Sequence, residues 1–222
     1  QRQLVPNVIS YNAAINACAR DAEHERAQAL MQEMRRRGLT PDVISYNAAI
    51  KACSEGGHYK CAVRLLQEMR KSGLDPNIIS YCTAISACEH LQQFKLALDL
   101  LREMRQKKLE PNVICYNAAI TACEKSQQSE LALELLDEMP SRGLRPDAIT
   151  CNAAISACEK GGWYERALEL LWGMEKRNVI SYSAAISACE KRKQYGLVLE
   201  LLHEMRRDGV VPNVITYNAV IS

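Results

Sequence analysis

An all-α solenoid of two-helix repeats is the fold class this sequence predicts, on three observations. The string Val-Ile-Ser-Tyr-Asn-Ala-Ala-Ile begins at Val8, returns at Val43, and recurs with small changes at Ile78, Val113, Ala148, Val179 and Val214. A period of 35 residues marks units that bury their apolar faces only against their neighbours. Each period also carries two stretches with apolar residues at helical spacing, and most periods close on Gly-x-x-Pro. No central core, and no separate catalytic domain, fits inside such a chain.

The whole chain, 1–222, therefore reads as one array of repeats spanning 8–42, 43–77, 78–112, 113–147, 148–178 and 179–213, with partial repeats at 1–7 and 214–222. It opens on Gln1 inside one repeat and stops inside another, so it is expected to be an excerpt of a longer array. In the first repeat, Tyr11, Ala14, Ile15 and Cys18 form the apolar stripe of a helix A, and Ala27, Leu30, Met31 and Met34 that of a helix B. The B stripe returns as Ala62, Leu65, Leu66, Met69, as Ala97, Leu100, Leu101, Met104, as Ala132, Leu135, Leu136, Met139, and as Ala167, Leu170, Leu171, Met174. Methionine at one fixed position reads as packing filler.

Helix B has clear stop signals. Gly38, Gly73, Gly143 and Gly209 stand where a left-handed residue is wanted just past the helix, and Pro41, Pro76, Pro146 and Pro212 follow three residues later, with Pro111 closing the third repeat. Ser10, Ser45, Ser80, Thr150, Ser181 and Thr216 stand near the start of helix A and are expected to be its N-caps. The fifth repeat has 31 residues and lacks Gly-x-x-Pro, running from Met174 through Arg177 and Asn178 into Val179. Its shorter connection should change the local stacking without interrupting the array.

Composition excludes several function classes. The formal charge is +2, from 28 Lys and Arg against 26 Asp and Glu, so only basic residues gathered on one face would favour a polyanion. Of ten Cys, six (Cys18, Cys53, Cys88, Cys123, Cys158, Cys189) share one repeat position and read as small buried side chains. Cys61, Cys82, Cys115 and Cys151 are scattered and no C-x-x-C occurs, so neither a disulfide framework nor a metal site is expected, and a reducing compartment is. No apolar run approaches the roughly 18 residues of a membrane span. No G-x-S-x-G, phosphate-binding loop or zinc-deaminase motif is present, and the four His fall at unrelated positions, so no catalytic residues, metal ligands or cofactors are assigned. Trp163 and Trp172 occur only in the fifth repeat and are expected to fill space there.

With the fourth, seventh, eighth and eleventh positions of helix A inward, the second, fifth, ninth and twelfth to thirteenth point the opposite way. The second position is always Ile: Ile9, Ile44, Ile79, Ile114, Ile149, Ile180 and Ile215. The fifth is Asn12, Asn47, Cys82, Asn117, Asn152, Ser183 and Asn218. A merely solvated helix face would use Glu, Lys or Gln, because Asn is a poorer helix former. Two readings stand: a carboxamide beside an apolar ledge for a flat ring, or an Asn that helps cap helix A while Ile packs between repeats. The last position adds Asp42, Asn77, Asn112, Asp147, Asn178 and Asn213, which suit either a turn after Pro or a readable polar group. The thirteenth is Arg20, Glu55, His90, Lys125, Lys160 and Lys191, a track of cations that Glu55 breaks and that ordinary surface lysines would also produce.

The 35-residue period, Tyr-Asn-Ala-Ala-Ile, Ala at the twentieth position, Met at the twenty-seventh and the Gly-x-x-Pro-Asp/Asn ending together resemble the pentatricopeptide repeat family, and the 31-residue repeat resembles its short variant. The resemblance covers essentially the whole chain. It implies a right-handed superhelix that binds single-stranded RNA, one base per repeat, in chloroplasts or mitochondria. By that resemblance the fifth and last positions read the base edge, the second sandwiches the base, and the basic thirteenth residues Arg20, Lys125, Lys160 and Lys191 meet phosphate. Asn12 with Asp42 and Asn117 with Asp147 would select U; Asn47 with Asn77 and Asn152 with Asn178 a pyrimidine; Ser183 with Asn213 A; Cys82 with Asn112 is unassigned. The implied site is 5′-U-Y-N-U-Y-A-3′, in RNA stability, processing, editing or translation, with a recruited RNA-processing protein as a further partner and no membrane or small-molecule substrate. A protein-binding scaffold, or the targeting half of a larger RNA-modifying enzyme or nuclease, are the alternatives.

Overall fold

The structure is a computed structural model that describes residues 6–89 and 93–221; His90, most of the first partial repeat and Ser222 lie outside these. Among the described residues thirteen helices follow one another without a strand: α1 (Val8–Arg20), α2 (His24–Arg36), α3 (Val43–Glu55), α4 (Tyr59–Lys71), α5 (Ile78–Ser86), α6 (Phe94–Gln106), α7 (Val113–Lys125), α8 (Ser129–Ser141), α9 (Ala148–Gly161), α10 (Tyr164–Gly173), α11 (Val179–Lys191), α12 (Tyr195–Arg207) and α13 (Val214–Ile221). Odd-numbered helices are helix A and even-numbered helices are helix B of successive repeats.

The chain divides into two compact units, Gln1–Ala122 and Cys123–Ser222. In the first, α1, α3 and α5 stack side by side, and α2 and α4 each pack against the A helices before and after them. In the second, α9, α11 and α13 stack in the same way, with α10 and α12 bridging them. The core of each unit is the meeting of the predicted stripes: Tyr46, Ile50, Leu66 and Met69 in the first, and Ile155, Leu171, Tyr182 and Met205 in the second, are buried. Full burial of each such side chain contributes on the order of 2 kcal/mol.

A buried tyrosine must still satisfy its hydroxyl. Tyr81 Oη accepts from Arg70 Nη2 at 2.8 Å and donates to Glu103 Oε1 at 3.1 Å, and Arg70 also meets Glu103. Arg35 serves Tyr46 at 2.9 Å, and Arg105 serves Tyr116 at 2.8 Å. In each case the Arg precedes the Tyr by eleven residues, at the end of the preceding helix B. The short fifth repeat has no such residue and uses Arg177 instead, 3.4 Å from Tyr182 Oη, which donates to Asp208 at 2.7 Å. Loss of four residues is thereby absorbed, and α10 still packs on α11.

Three expectations are corrected. The hydroxyls near the start of helix A are not the N-caps: Asn7, Asp42, Asn77, Asp147 and Asn178 are, with extended backbone, and Ser10, Ser45, Ser80, Thr150 and Ser181 are the third helical residues that complete a reciprocal capping box. Trp172 does not fill space; it is 45% exposed, with the Arg177 guanidinium 4.9 Å from its ring centre. The cysteines are not all unpaired, because Cys53 is bonded to Cys61 and Cys82 to Cys115. Cys18, Cys88, Cys123, Cys151, Cys158 and Cys189 are free thiols. Stacking brings Cys82 and Cys115 together from 33 residues apart, whereas Cys53 and Cys61 are only 8 apart within one repeat.

Candidate nucleic-acid interface

The side chains singled out on helix A separate into an exposed set and a half-buried set. All seven second-position isoleucines, Ile9, Ile44, Ile79, Ile114, Ile149, Ile180 and Ile215, are between 60% and 76% exposed, far more than packing between repeats would allow. That disposes of the reading in which they are core residues. The fifth-position side chains do not point fully outward as helical geometry alone implied. Asn12, Asn47 and Asn152 are half-buried, Cys82, Asn117 and Ser183 are buried, and Asn218 at the chain's end is exposed. Stacking of adjacent A helices covers them from one side.

Half-burial forces polar groups to find partners. Asn12 Nδ2 donates to Asp42 Oδ1 at 3.1 Å, and Asn47 Nδ2 donates to Asn77 Oδ1 at 3.4 Å. The fifth and last positions of a repeat, 30 residues apart, therefore meet at one point. In the third repeat Cys82 Sγ lies 3.4 Å from Asn112 Oδ1. Asn178 instead turns its Oδ1 to the backbone N–H groups of Ile180 and Ser181, so the short repeat differs. Ser183 pairs with Thr216 at 2.8 Å, while Asn213 caps α13 through Thr216.

The last-position side chains thus play both parts between which the sequence left a choice. Asp42 Oδ1 accepts the backbone N–H of Ser45 at 2.8 Å as a helix cap while receiving Asn12. Desolvation pushes the Asp42 carboxyl upward, but the hydrogen bonds from Ser45 and Asn12 outweigh it and hold the group below its ordinary value. In the first compact unit a niche of about 220 Å³ is lined by Ile79, Ile114, Cys82 and Asn112, together with Ser86 and Thr83 among others. Two exposed isoleucines of successive repeats and the polar pair therefore share one concavity.

The cations are arranged differently from a bare track. Arg20, Lys125, Lys160 and Lys191 are exposed. Yet Lys160 Nζ lies 2.6 Å from Glu124 Oε1, and Lys191 Nζ 2.9 Å from Glu159 Oε1. The sequence placed the twelfth position on this face but not the pairing of its glutamates with the lysines of the next repeat, although the repeated dipeptides Glu124-Lys125, Glu159-Lys160 and Glu190-Lys191 carried the signal. The third-position side chains were also missed as site residues: Ser45, Ser80, Cys115, Thr150, Ser181 and Thr216 are fully buried beside the reading pairs. Among the described residues no cluster of three His, Cys, Asp or Glu could hold a metal ion, and no helix is long and apolar enough to cross a membrane.

The profile of the pentatricopeptide repeat domain matches residues 1–56, 29–91 and 64–126, that of the PPR repeat family 111–160 and 177–222, and that of the PPR repeat 149–179. The chain belongs to the pentatricopeptide repeat family. Comparison with curated protein sequences finds no match. Among solved structures, the pentatricopeptide repeat protein PPR10 from maize is 29% identical, with a TM-score of 0.70 over 99% of this chain and 32% of its own. PPR10 in complex with an 18-nt psaJ RNA element is 20% identical at a TM-score of 0.63, over 99% of this chain and 38% of that one. The pentatricopeptide repeat domain of Arabidopsis thaliana protein-only RNase P 1, in complex with tRNA, is 18% identical at 0.67, over 78% of this chain and 93% of that one. This chain spans about a third of the length of the maize protein.

Proposed function

We propose that this chain binds single-stranded RNA sequence-specifically, one base per repeat, and that residues 1–222 act as one array. The observation that carries the reading is the repeated juxtaposition of an exposed isoleucine with a fifth-position and last-position polar pair, as in Asn12 with Asp42 and Asn47 with Asn77. A base edge needs donors and acceptors held in place, and a base face needs an apolar ledge; both are present at one spacing. The family assignment and the RNA-bound relatives support the same reading. The site proposed is 5′-U-Y-N-U-Y-A-3′, with the phosphates met by Arg20, Lys125, Lys160 and Lys191. The protein acts in an organelle by occupying RNA or recruiting an RNA-processing protein, without chemistry of its own.

The test is equilibrium binding to an RNA carrying UCAUCA, to a scrambled RNA and to the matching DNA at two salt concentrations. Matched RNA should bind most tightly and more weakly at high salt. Exchanging Asn12 for Ser together with Asp42 for Asn should move the first-base preference from U to A; an unchanged preference refutes the code. A second reading, a protein-binding scaffold, is favoured by the neutralisation of Lys160 and Lys191 by glutamates. It requires equal, weak binding to all three nucleic acids.

A further inference from the structure

Resting on the base-reading proposed above, we propose that the third-position hydroxyl of the following repeat, where one is present, is a positioning residue for specificity: together with the last-position oxygen it fixes which end of the fifth-position carboxamide faces the base.

The argument starts from a group whose polarity is certain. The backbone N–H of Ser45 can only donate, and it donates to Asp42 Oδ1 at 2.8 Å. Asn12 reaches the same oxygen at 3.1 Å, so the atom it offers must be its NH2 group. Asn12 Oδ1 then lies on the other branch, where Ser45 Oγ sits 2.5 Å away. Ser45 Oγ accepts the backbone N–H of Asp42 at 3.1 Å, and of the two oxygens within reach of its own proton, Asn12 Oδ1 at 2.5 Å and Asp42 Oδ1 at 3.0 Å, Asn12 is the nearer. The second repeat has the same circuit: Ser80 N–H to Asn77 Oδ1 at 3.1 Å, Asn47 Nδ2 to that oxygen at 3.4 Å, and Ser80 Oγ to Asn47 Oδ1 at 2.6 Å.

The carboxamide's oxygen is therefore held inside the protein by the hydroxyl, and one of its two N–H bonds goes to the last-position side chain. One N–H is left for the base. An Asn held this way turns its remaining N–H to the base, where the O2 carbonyl of a pyrimidine and the N3 of cytosine can accept it. Without the hydroxyl the amide is oriented by the last-position oxygen alone, one hydrogen bond instead of two, and its oxygen is released toward the base.

The lock is not uniform. In the short repeat Ser181 Oγ donates to the backbone oxygen of Asn178 at 2.9 Å, and Asn152 Oδ1 is left buried without a hydrogen-bond partner. In the third repeat the same two positions are Cys82 and Cys115, bonded to each other, so no amide exists to be locked. Discrimination should be sharp at the first and second bases, blurred at the fifth and absent at the third.

The experiment uses the full chain and RNAs that differ only at the first base or only at the second, read by fluorescence anisotropy for wild type, Ser45→Ala and Ser45→Thr, with thermal melts alongside. Ser45→Ala should lower discrimination at the first base by about fivefold, the worth of one hydrogen bond, and leave the second base unchanged; Ser45→Thr should restore it. Equal weakening for all four first bases, or a change in melting temperature alone, overturns the lock while leaving the base-reading intact. A wild-type chain indifferent to every base overturns both. If Ser45→Ala does not fold, Ser80→Ala makes the same test at the second base.

Discussion

Asp42 shows how much one side chain can be asked to do. It caps α3, receives Asn12 and stands at the proposed base-reading point. Because its carboxyl is held below its ordinary value in the fold, its contribution to stability is present above the usual carboxylate range near pH 4 and is lost as pH falls through the lower folded value. The acid limb of a urea-midpoint profile should therefore be shallower for Asp42→Asn than for wild type below about pH 4; identical limbs would show that the carboxylate is not hydrogen-bonded as described. At this scale the sequence was legible in part. Periodicity isolated Asn12 and Asp42 as residues of interest, but it could not show that they touch, because the contact spans 30 residues and arises only when two A helices stack. The buried cysteines were easier to foresee: burial pushes the Cys88, Cys123 and Cys158 thiols up to about 12, as expected of small core side chains.

Among the elements, helix B ends were read correctly and helix A starts were not. Gly38, Gly73, Gly143 and Gly209 all have φ between 72° and 76°. In the first repeat Gly38 N–H bonds to Arg35 and Leu39 N–H to Met34, the two bonds of a Schellman end. A glycine in that place announces itself because few other residues tolerate the conformation. The start of helix A offered no such asymmetry. Two polar residues three apart, Asp42 and Ser45, each satisfy the other's backbone, and which of them is helical depends on dihedrals that composition does not reveal. The third repeat has Lys108 at φ 59° in the glycine position. Lys108→Gly should relieve that strain and stabilise the protein by about 1 kcal/mol, seen as a raised urea midpoint; a lowered midpoint would place the conformation of this end in error.

For the whole molecule, the fold class followed directly from the 35-residue period, whereas the balance of charge on the proposed binding face did not. Thirteenth-position lysines look free until the twelfth-position glutamates of the preceding repeat are brought beside them. Glu159→Gln should release Lys191, now 2.9 Å from its carboxylate, and strengthen binding to every RNA alike. The logarithmic salt slope should steepen by ~0.7 for one added phosphate contact. An unchanged slope would show that Lys191 never meets phosphate and would remove it from the interface.

The exposed isoleucines bear on how the protein behaves when it is alone. A net charge of +2 gives molecules little mutual repulsion, and side chains such as Ile9, Ile44 and Ile79 stay in water until something flat covers them. Apolar surface of this kind is a colloidal liability in the empty protein. Ligand-free chains should therefore associate through the face that nucleic acid would cover, so that loading the protein and keeping it dispersed become the same event.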